Sequence, residues 1–124
     1  MAFGATRCAL PGLALIVVGL QLAGCGSVVD SGQARLCRAV APALHDEGTT
    51  IVETQIAPLR EDPLALRLTY RARASLGSAP HELICRFAAH TGAGRLDLVA
   101  VVADGVPLGE VKFYILKRWW LEAR

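Results

Sequence analysis

Histidine, cysteine and carboxylate side chains are the residue types in this chain that could hold a metal ion. The imidazole and thiol candidates are His45, His81, His90, Cys37 and Cys85. His81 and Cys85 would share one face of a strand, but four strand residues span about 13 Å. Zinc ligands, by contrast, lie roughly 2.0–2.3 Å from the ion. No pair has the tight spacing of a standard zinc motif, so we predict no metal and no other cofactor.

A nucleophile beside a catalytic base is equally hard to find. The chain has no Gly-x-Ser-x-Gly motif, and its first lysine is Lys112. His45-Asp46-Glu47 brings a base and two carboxylates together, but it follows a predicted helix end, where a solvated charged turn is the ordinary outcome. Gly92-Ala93-Gly94 precedes no helix and is not a phosphate loop. A Ser–His or Cys–His pair assembled by the fold stays open as an alternative; otherwise we predict a protein that is not an enzyme.

Arginines recur on one side of one predicted strand, and one more on the next strand could join them. The set is Arg67, Arg71, Arg73 and Arg86. Because guanidinium groups bind carboxylates and phosphates bidentately, this face could contact an acidic partner or a lipid or polysaccharide phosphate. The alternative is a solvated face balanced by cross-strand carboxylates such as Glu82 and Glu53.

Two tryptophans follow two basic residues in Lys117-Arg118-Trp119-Trp120. Tryptophan beside basic residues suits a membrane interface or the centre of a protein interface. The alternative places Trp119 in the core and Trp120 at the edge of the sheet.

Length and composition limit which elements could position these residues. The chain has 124 residues, of which 53% are hydrophobic and 19% are charged, with a net charge of +2. These values exclude a large multidomain enzyme, a polytopic membrane protein and a disordered chain. The near-neutral charge argues against bulk nucleic-acid binding.

The periodicity of the chain predicts an α+β fold. Asp30 or Ser31 would cap a first helix that ends or kinks at Pro42. Four strands follow at 50–58, 64–74, 81–89 and 95–103, with short turns between them, and Asp104-Gly105 closes the fourth. Short connections favour an antiparallel meander. A last helix at 107–121 completes a four-stranded sheet covered by an N-terminal and a C-terminal helix.

The same patterns predict which faces are buried. In the second strand Leu66, Leu68, Tyr70 and Ala72 alternate with polar residues, which indicates one buried and one solvated face. The apolar run at 98–102 predicts burial on both faces of the fourth strand. In the last helix the stripe predicted to face the sheet is Leu108, Val111, Ile115 and Trp119. Leu116 and Trp120 flank this stripe.

The amino terminus indicates export. Residues 1–7 carry one positive charge, and residues 8–29 carry none, which is typical of a secretory signal. Leu22-Ala23-Gly24-Cys25 then resembles the lipobox of bacterial lipoproteins. The resemblance covers residues 1–25 and implies a signal peptide over 1–24 and lipidation of Cys25 by palmitate-type chains that anchor it in the bilayer. An ordinary signal or an uncleaved anchor remains the alternative.

The resemblance to bacterial lipoproteins also implies a cellular location and a domain organisation. Gly26 stands where aspartate retains enterobacterial lipoproteins in the inner membrane, so the outer membrane is favoured, with the protein facing the periplasm. We expect a tether over 25–31 and one domain over 32–124. Cys8 would leave with the signal and Cys25 would take the lipid, so Cys37 and Cys85 most simply form one disulfide in the oxidising periplasm. Two unpaired buried thiols are the alternative.

These inferences predict a non-enzymatic accessory subunit that binds another protein of the cell envelope. The alternatives are a protein that binds an anionic envelope ligand through the arginine face and an enzyme with an unrecognised site.

Overall fold

The structure is a computed structural model that describes residues 28–123. The predicted signal peptide, the lipobox with Cys25, Gly26 and part of the predicted tether lie outside the described residues, as does Arg124. None of the helices within residues 28–123 has the length and hydrophobicity that a membrane crossing needs. The helices are α1 (Ser31–Ala43) and α2 (Glu110–Ile115), which continues as a π-helical segment (Leu116–Leu121). The strands are β1 (Thr50–Pro58), β2 (Ala65–Ala74), β3 (Gly77–Phe87), β4 (Leu98–Ala103) and β5 (Val106–Pro107).

The strands form one antiparallel sheet in the order β1-β2-β3-β4-β5. The α+β class and the antiparallel meander are therefore confirmed, and the predicted count of four strands is wrong by one. The third strand also begins earlier than predicted, because Ala74 pairs with Gly77 and only two residues connect β2 to β3. The segment 77–80, expected as a turn, is thus the first part of a strand.

The additional strand, β5, follows directly from the turn at the end of β4. Asp104 and Gly105 both have positive φ angles, 49° and 84°, which is the backbone that a two-residue type I′ hairpin requires. The chain therefore reverses and pairs Ala103 with Val106. The helix predicted to begin at 107 consequently starts at Glu110.

Strict alternation in β2 and β3 assigns their faces as predicted. Leu66, Leu68 and Tyr70 are buried, and they pair with Cys85, Leu83 and His81 on the same face. This inner face packs beneath the helices. The prediction that both faces of β4 are buried is wrong. Phe87 pairs with Leu98 while Arg86 pairs with Ala100, so the register shifts between these two pairs. Val99 is the extra residue of this irregularity, and its side chain is exposed.

The first helix begins with an aspartate cap, as predicted. The Asp30 Oδ1 atom accepts hydrogen bonds from the backbone N–H groups of Gly32 (2.8 Å) and Gln33 (3.0 Å). The guanidinium of Arg95 lies 2.7 Å from the same carboxylate. These bonds, led by the one from Gln33, hold the pKa of Asp30 below its ordinary value. The helix ends at Ala43, one residue after Pro42.

One disulfide joins the helix layer to the sheet. Cys37 of α1 and Cys85 of β3 are bonded, with their Cα atoms 5.8 Å apart, and both residues are fully buried. The predicted pairing is confirmed, and the alternative of two unpaired thiols is wrong. The position of Cys85 beside Leu83 and Phe87 on the inner face brings it directly under α1.

The C-terminal helix packs through a different stripe from the one predicted. Leu116 is buried, and Phe113 and Trp120 are partly buried against the core. Val111, Ile115 and Trp119, which the periodicity assigned to the sheet side, are 74%, 49% and 68% exposed. The helix thus carries two neighbouring apolar stripes, and only one of them enters the core.

Candidate interaction surface and histidine cluster

Two of the four arginines on the arginine face are paired with carboxylates within the protein. The Arg67 Nε atom lies 3.1 Å from Oε2 of Glu82, and the Arg86 Nε atom lies 2.8 Å from Oδ2 of Asp62. Arg71 donates hydrogen bonds to the hydroxyl and the carbonyl of Ser78. Within residues 28–123, the side chain of Arg73 makes no hydrogen bond or ion pair. The structure brings the four arginines to one face but leaves a single one without a neighbouring acceptor.

The two tryptophans have different environments. Trp120 packs against the core, and its indole N–H donates to the carbonyl of Ala39 in α1 at 2.6 Å. Trp119 projects into solvent. The alternative that placed Trp119 in the core is therefore wrong, because Leu116 and Trp120 occupy the inward positions of this segment.

Trp119 borders a concave apolar groove of about 260 Å³ between the end of α1 and the C-terminal helix. We call this feature the apolar groove; its lining residues are Ala43, Leu44, Leu108, Lys112, Ile115, Leu116, Trp119 and Trp120. The exposed residues Val111, Ile115 and Trp119, which we call the outer stripe, follow one another at helical spacing beside it. Scattered exposed apolar residues are common on proteins, but a contiguous apolar patch with a cavity is typical of an interaction site.

A second feature is a cluster of four side chains from separate parts of the chain. We define the histidine cluster as His45 after α1, Tyr70 of β2, His81 of β3 and Asp104 of the β4–β5 turn. The His45 Nε2 atom lies 2.8 Å from the Tyr70 hydroxyl, and the His81 Nδ1 atom lies 2.7 Å from Oδ2 of Asp104. The centroids of the two imidazole rings are 4.6 Å apart. Asp104 also accepts a hydrogen bond from the backbone N–H of Glu82 through its other oxygen.

Burial and neighbouring charge shift the titration of this cluster. Burial, followed by the adjacent His81, lowers the pKa of His45, while Asp104 and Asp46 oppose that shift. Burial and then the Asp104 charge raise the pKa of Tyr70 to about 12, so the phenol is neutral at ordinary pH. The hydrogen bond from His81 is the largest of several effects that lower the pKa of Asp104. The cluster therefore favours a neutral His45 and an ionised Asp104.

The sequence prediction missed this cluster, although it named two of its members. His45 was interpreted as part of a solvated turn, and His81 was weighed only as a metal ligand. Within residues 28–123, no three histidine, cysteine or carboxylate side chains are arranged to hold a metal ion. The available signal was the Asp104-Gly105 pair, which is typical of a two-residue hairpin.

Comparison with known proteins provides no relative from which a function could be transferred. No protein-family model, no curated protein and no solved structure matches this chain.

Proposed function

We propose that this protein is a lipid-anchored accessory subunit of the bacterial cell envelope that binds a partner protein through the apolar groove and the outer stripe. The observation that carries this proposal is the exposure of Val111, Ile115 and Trp119 beside the groove. Tryptophan is enriched among the few residues that dominate binding energy in protein interfaces. Burying these three side chains on a partner would remove their apolar surface from water.

The shape of the site favours a protein over a lipid surface as the occupant. A concave groove accommodates a protruding side chain, whereas a bilayer covers convex or flat surfaces. The groove also lies at the carboxyl end of α1, and Asp30 lies at the other end. A helix of 13 residues is about 20 Å long. A lipidated Cys25 would approach from the Asp30 end, so the groove can point away from the bilayer.

The residues around the groove indicate the chemistry of the partner. Lys112 lies on its rim and is exposed. Lys117 and Arg118 are already paired with Asp97 and Glu122. We therefore expect the partner to insert an apolar side chain into the groove and to place a carboxylate near Lys112.

Site-specific photo-crosslinking in living native cells tests the proposal. A photoreactive residue would replace Val111 in the full chain, and a matched variant would carry it at Leu76, which is 99% exposed at the tip of the β2–β3 hairpin. We expect the Val111 probe to join one envelope protein in near-equal amount and the Leu76 probe not to do so. The accessory role would be contradicted if the Val111 probe formed adducts only with lipid, formed them only with this chain itself, or formed no adduct at all.

The anchor is tested separately by Cys25→Ser. Because the thiol of Cys25 is the proposed acylation site, the variant is expected to lose incorporation of an alkyne-labelled fatty acid and to leave the membrane fraction. Cys8→Ser is the matched control, since Cys8 lies in the same uncharged segment. Equal fatty-acid labelling of the two variants would show that Cys25 is not the lipidated residue.

Charge reversal on the arginine face distinguishes this proposal from the anionic-ligand alternative. Arg71→Glu with Arg73→Glu is expected to leave the Val111 crosslink unchanged, because neither residue lines the groove. The free energy of unfolding should change by less than about 1 kcal/mol, since both side chains are exposed. Binding through the arginine face would instead be favoured by two results together. The double variant would lose partner recovery at low salt, and added salt would cause the same loss in the unmodified chain.

A further inference from the structure

The histidine cluster and the apolar groove are connected through two consecutive residues. Leu44 lines the groove, and His45 is the next residue in the chain. The backbone at this point is held by terminal hydrogen bonds from the N–H of Leu44 to Ala41 and of His45 to Pro42, at 3.1 and 3.3 Å. The contact of the His45 side chain with the Tyr70 hydroxyl of β2 also ties this end of α1 to the sheet.

We propose that protonation of His45 releases the carboxyl end of α1 from the histidine cluster and changes the shape of the apolar groove, so that docking weakens in mildly acidic surroundings. The docking part of this inference rests on the proposed function. The change in the groove stands on the geometry of His45 and Leu44 and can be measured without a partner.

The groups around His45 explain why its charged form does not fit in place. His45 faces Tyr70 of β2, His81 of β3 and Asp104 of the β4–β5 turn, and Asp46 follows it in its own loop. The Asp104 carboxylate is already hydrogen-bonded to His81 and to the backbone of Glu82. A second imidazolium 4.6 Å from the His81 ring would be partly removed from water and would repel that ring whenever His81 is charged.

The direction of the pH effect follows from the lowered pKa of His45. Because the packed state lowers this pKa and the released imidazole has an ordinary value of about 6.5, the packed state binds fewer protons between the two values. The packed arrangement is therefore fully stabilised above about pH 6.5 and loses that contribution as the pH falls. Asp46 and Asp104 reduce the size of the effect but do not reverse its direction.

The loop after His45 provides a place where the chain can bend. Gly48 has a φ of +91°, and the N–H of Thr49 closes a turn onto the carbonyl of Asp46 at 3.1 Å. Asp46, Glu47 and Gly48 are exposed. The loop itself therefore offers little resistance to an outward rotation of His45, and the contacts that hold His45 in place are those with Tyr70 and His81. Leu44, the preceding residue, would move with His45.

Intrinsic fluorescence tests the inference, because the chain has two tryptophans and both line the groove. The full chain in lipid nanodiscs would be titrated from pH 8 to pH 5, with the emission maximum and acrylamide quenching as readouts. We expect a single transition with a midpoint below about 6.5 and no accompanying loss of secondary structure by circular dichroism. The absence of a transition, or one that coincides with global unfolding, would overturn the inference.

Histidine variants assign the transition to a residue. His45→Gln is expected to abolish it, and His81→Gln to raise its midpoint by removing a neighbouring positive charge. His90→Gln is the matched control, since His90 is exposed and is not a member of the cluster. A transition that persists in His45→Gln would contradict the assignment. If that variant does not fold, a raised midpoint in the His81 variant and an unchanged midpoint in the His90 variant, with NMR titration of the His45 ring in the unmodified chain, decide the same question.

Crosslinking at two pH values separates this inference from the proposed function. The Val111 probe is expected to capture the partner at pH 7.5, to lose at least half of that yield at pH 5.5, and to keep it in His45→Gln. If no crosslink formed at either pH value but the fluorescence transition was present, the docking function would be contradicted and the pH-dependent change of the groove would stand. Equal crosslinking at both pH values would overturn the regulatory role of His45.

Discussion

Trp119→Ala is expected to lower the recovery of the partner protein by at least about thirtyfold, which corresponds to roughly 2 kcal/mol of binding free energy. The physical reason is that this large side chain is 68% exposed and borders a groove into which a partner can insert. The same exposure means that the folded chain loses little when the side chain is removed. The free energy of unfolding should therefore change by no more than about 0.5 kcal/mol. Quantitative crosslinking and urea unfolding measure the two quantities.

Two further variants show whether the effect belongs to the groove. Leu76→Ala removes a still more exposed apolar side chain at the tip of the β2–β3 hairpin and should change neither quantity. Trp120→Phe should instead mainly lower the stability of the domain, because it removes the indole N–H that donates to the carbonyl of Ala39, while the exposed ring of Trp119 stays in place. We expect it to cost about 1 kcal/mol or more in stability. If Trp119→Ala left partner recovery unchanged, the outer stripe would not be the binding site.

Replacing both members of the disulfide, Cys37→Ala with Cys85→Ala, is expected to lower the free energy of unfolding by about 2–4 kcal/mol. The bond constrains a loop of sequence separation 48 in the unfolded chain and joins α1 to β3 in the folded one. A domain of this size has little core to compensate. Urea unfolding of the oxidised and the doubly substituted chains measures the difference.

The unmodified chain treated with a reductant under denaturing conditions is the control for the disulfide, since it loses the bond while keeping both side chains. Its midpoint should move in the same direction as that of the double variant. A difference below about 0.5 kcal/mol between the oxidised and the substituted chains would show that the disulfide contributes little to stability.

Local patterns in the chain predicted the strands well, and the reason is physical. In β2 every second residue is apolar, and only one register buries Leu66, Leu68 and Tyr70 together. The same parity in β3 placed Cys85 on the inner face. Its pairing with Cys37 was predicted because these two cysteines remain once Cys8 is assigned to the proposed signal and Cys25 to the proposed lipid anchor. Asp30 was predictable as a helix cap from neighbouring residues, since its bonds reach only two and three residues along the chain.

The C-terminal helix was harder to predict because its sequence carries two apolar stripes. Either Val111, Ile115 and Trp119 or Phe113, Leu116 and Trp120 could have faced the sheet. The β5 strand decides between them, since the N–H of Leu108 bonds to the carbonyl of Val101 and so sets where the helix can begin. Which stripe faces the sheet therefore depends on a contact between separate segments, and the periodicity of the helix alone does not predict it.

The sequence by itself determined the faces of β2 and β3 and the first helix with its cap, because each depends on the spacing of nearby residues or on a simple parity. The disulfide partners followed from the count of cysteines. The sequence also carries the segment resembling a lipobox on which the proposed location rests. Only the tertiary structure decided which stripe of the last helix is exposed and which two histidines meet. His45, Tyr70, His81 and Asp104 come from four separate segments, and only the register of the sheet and the end of α1 bring them together. The groove beside Leu44 arises in the same way, from the packing of two helices that are far apart in the chain.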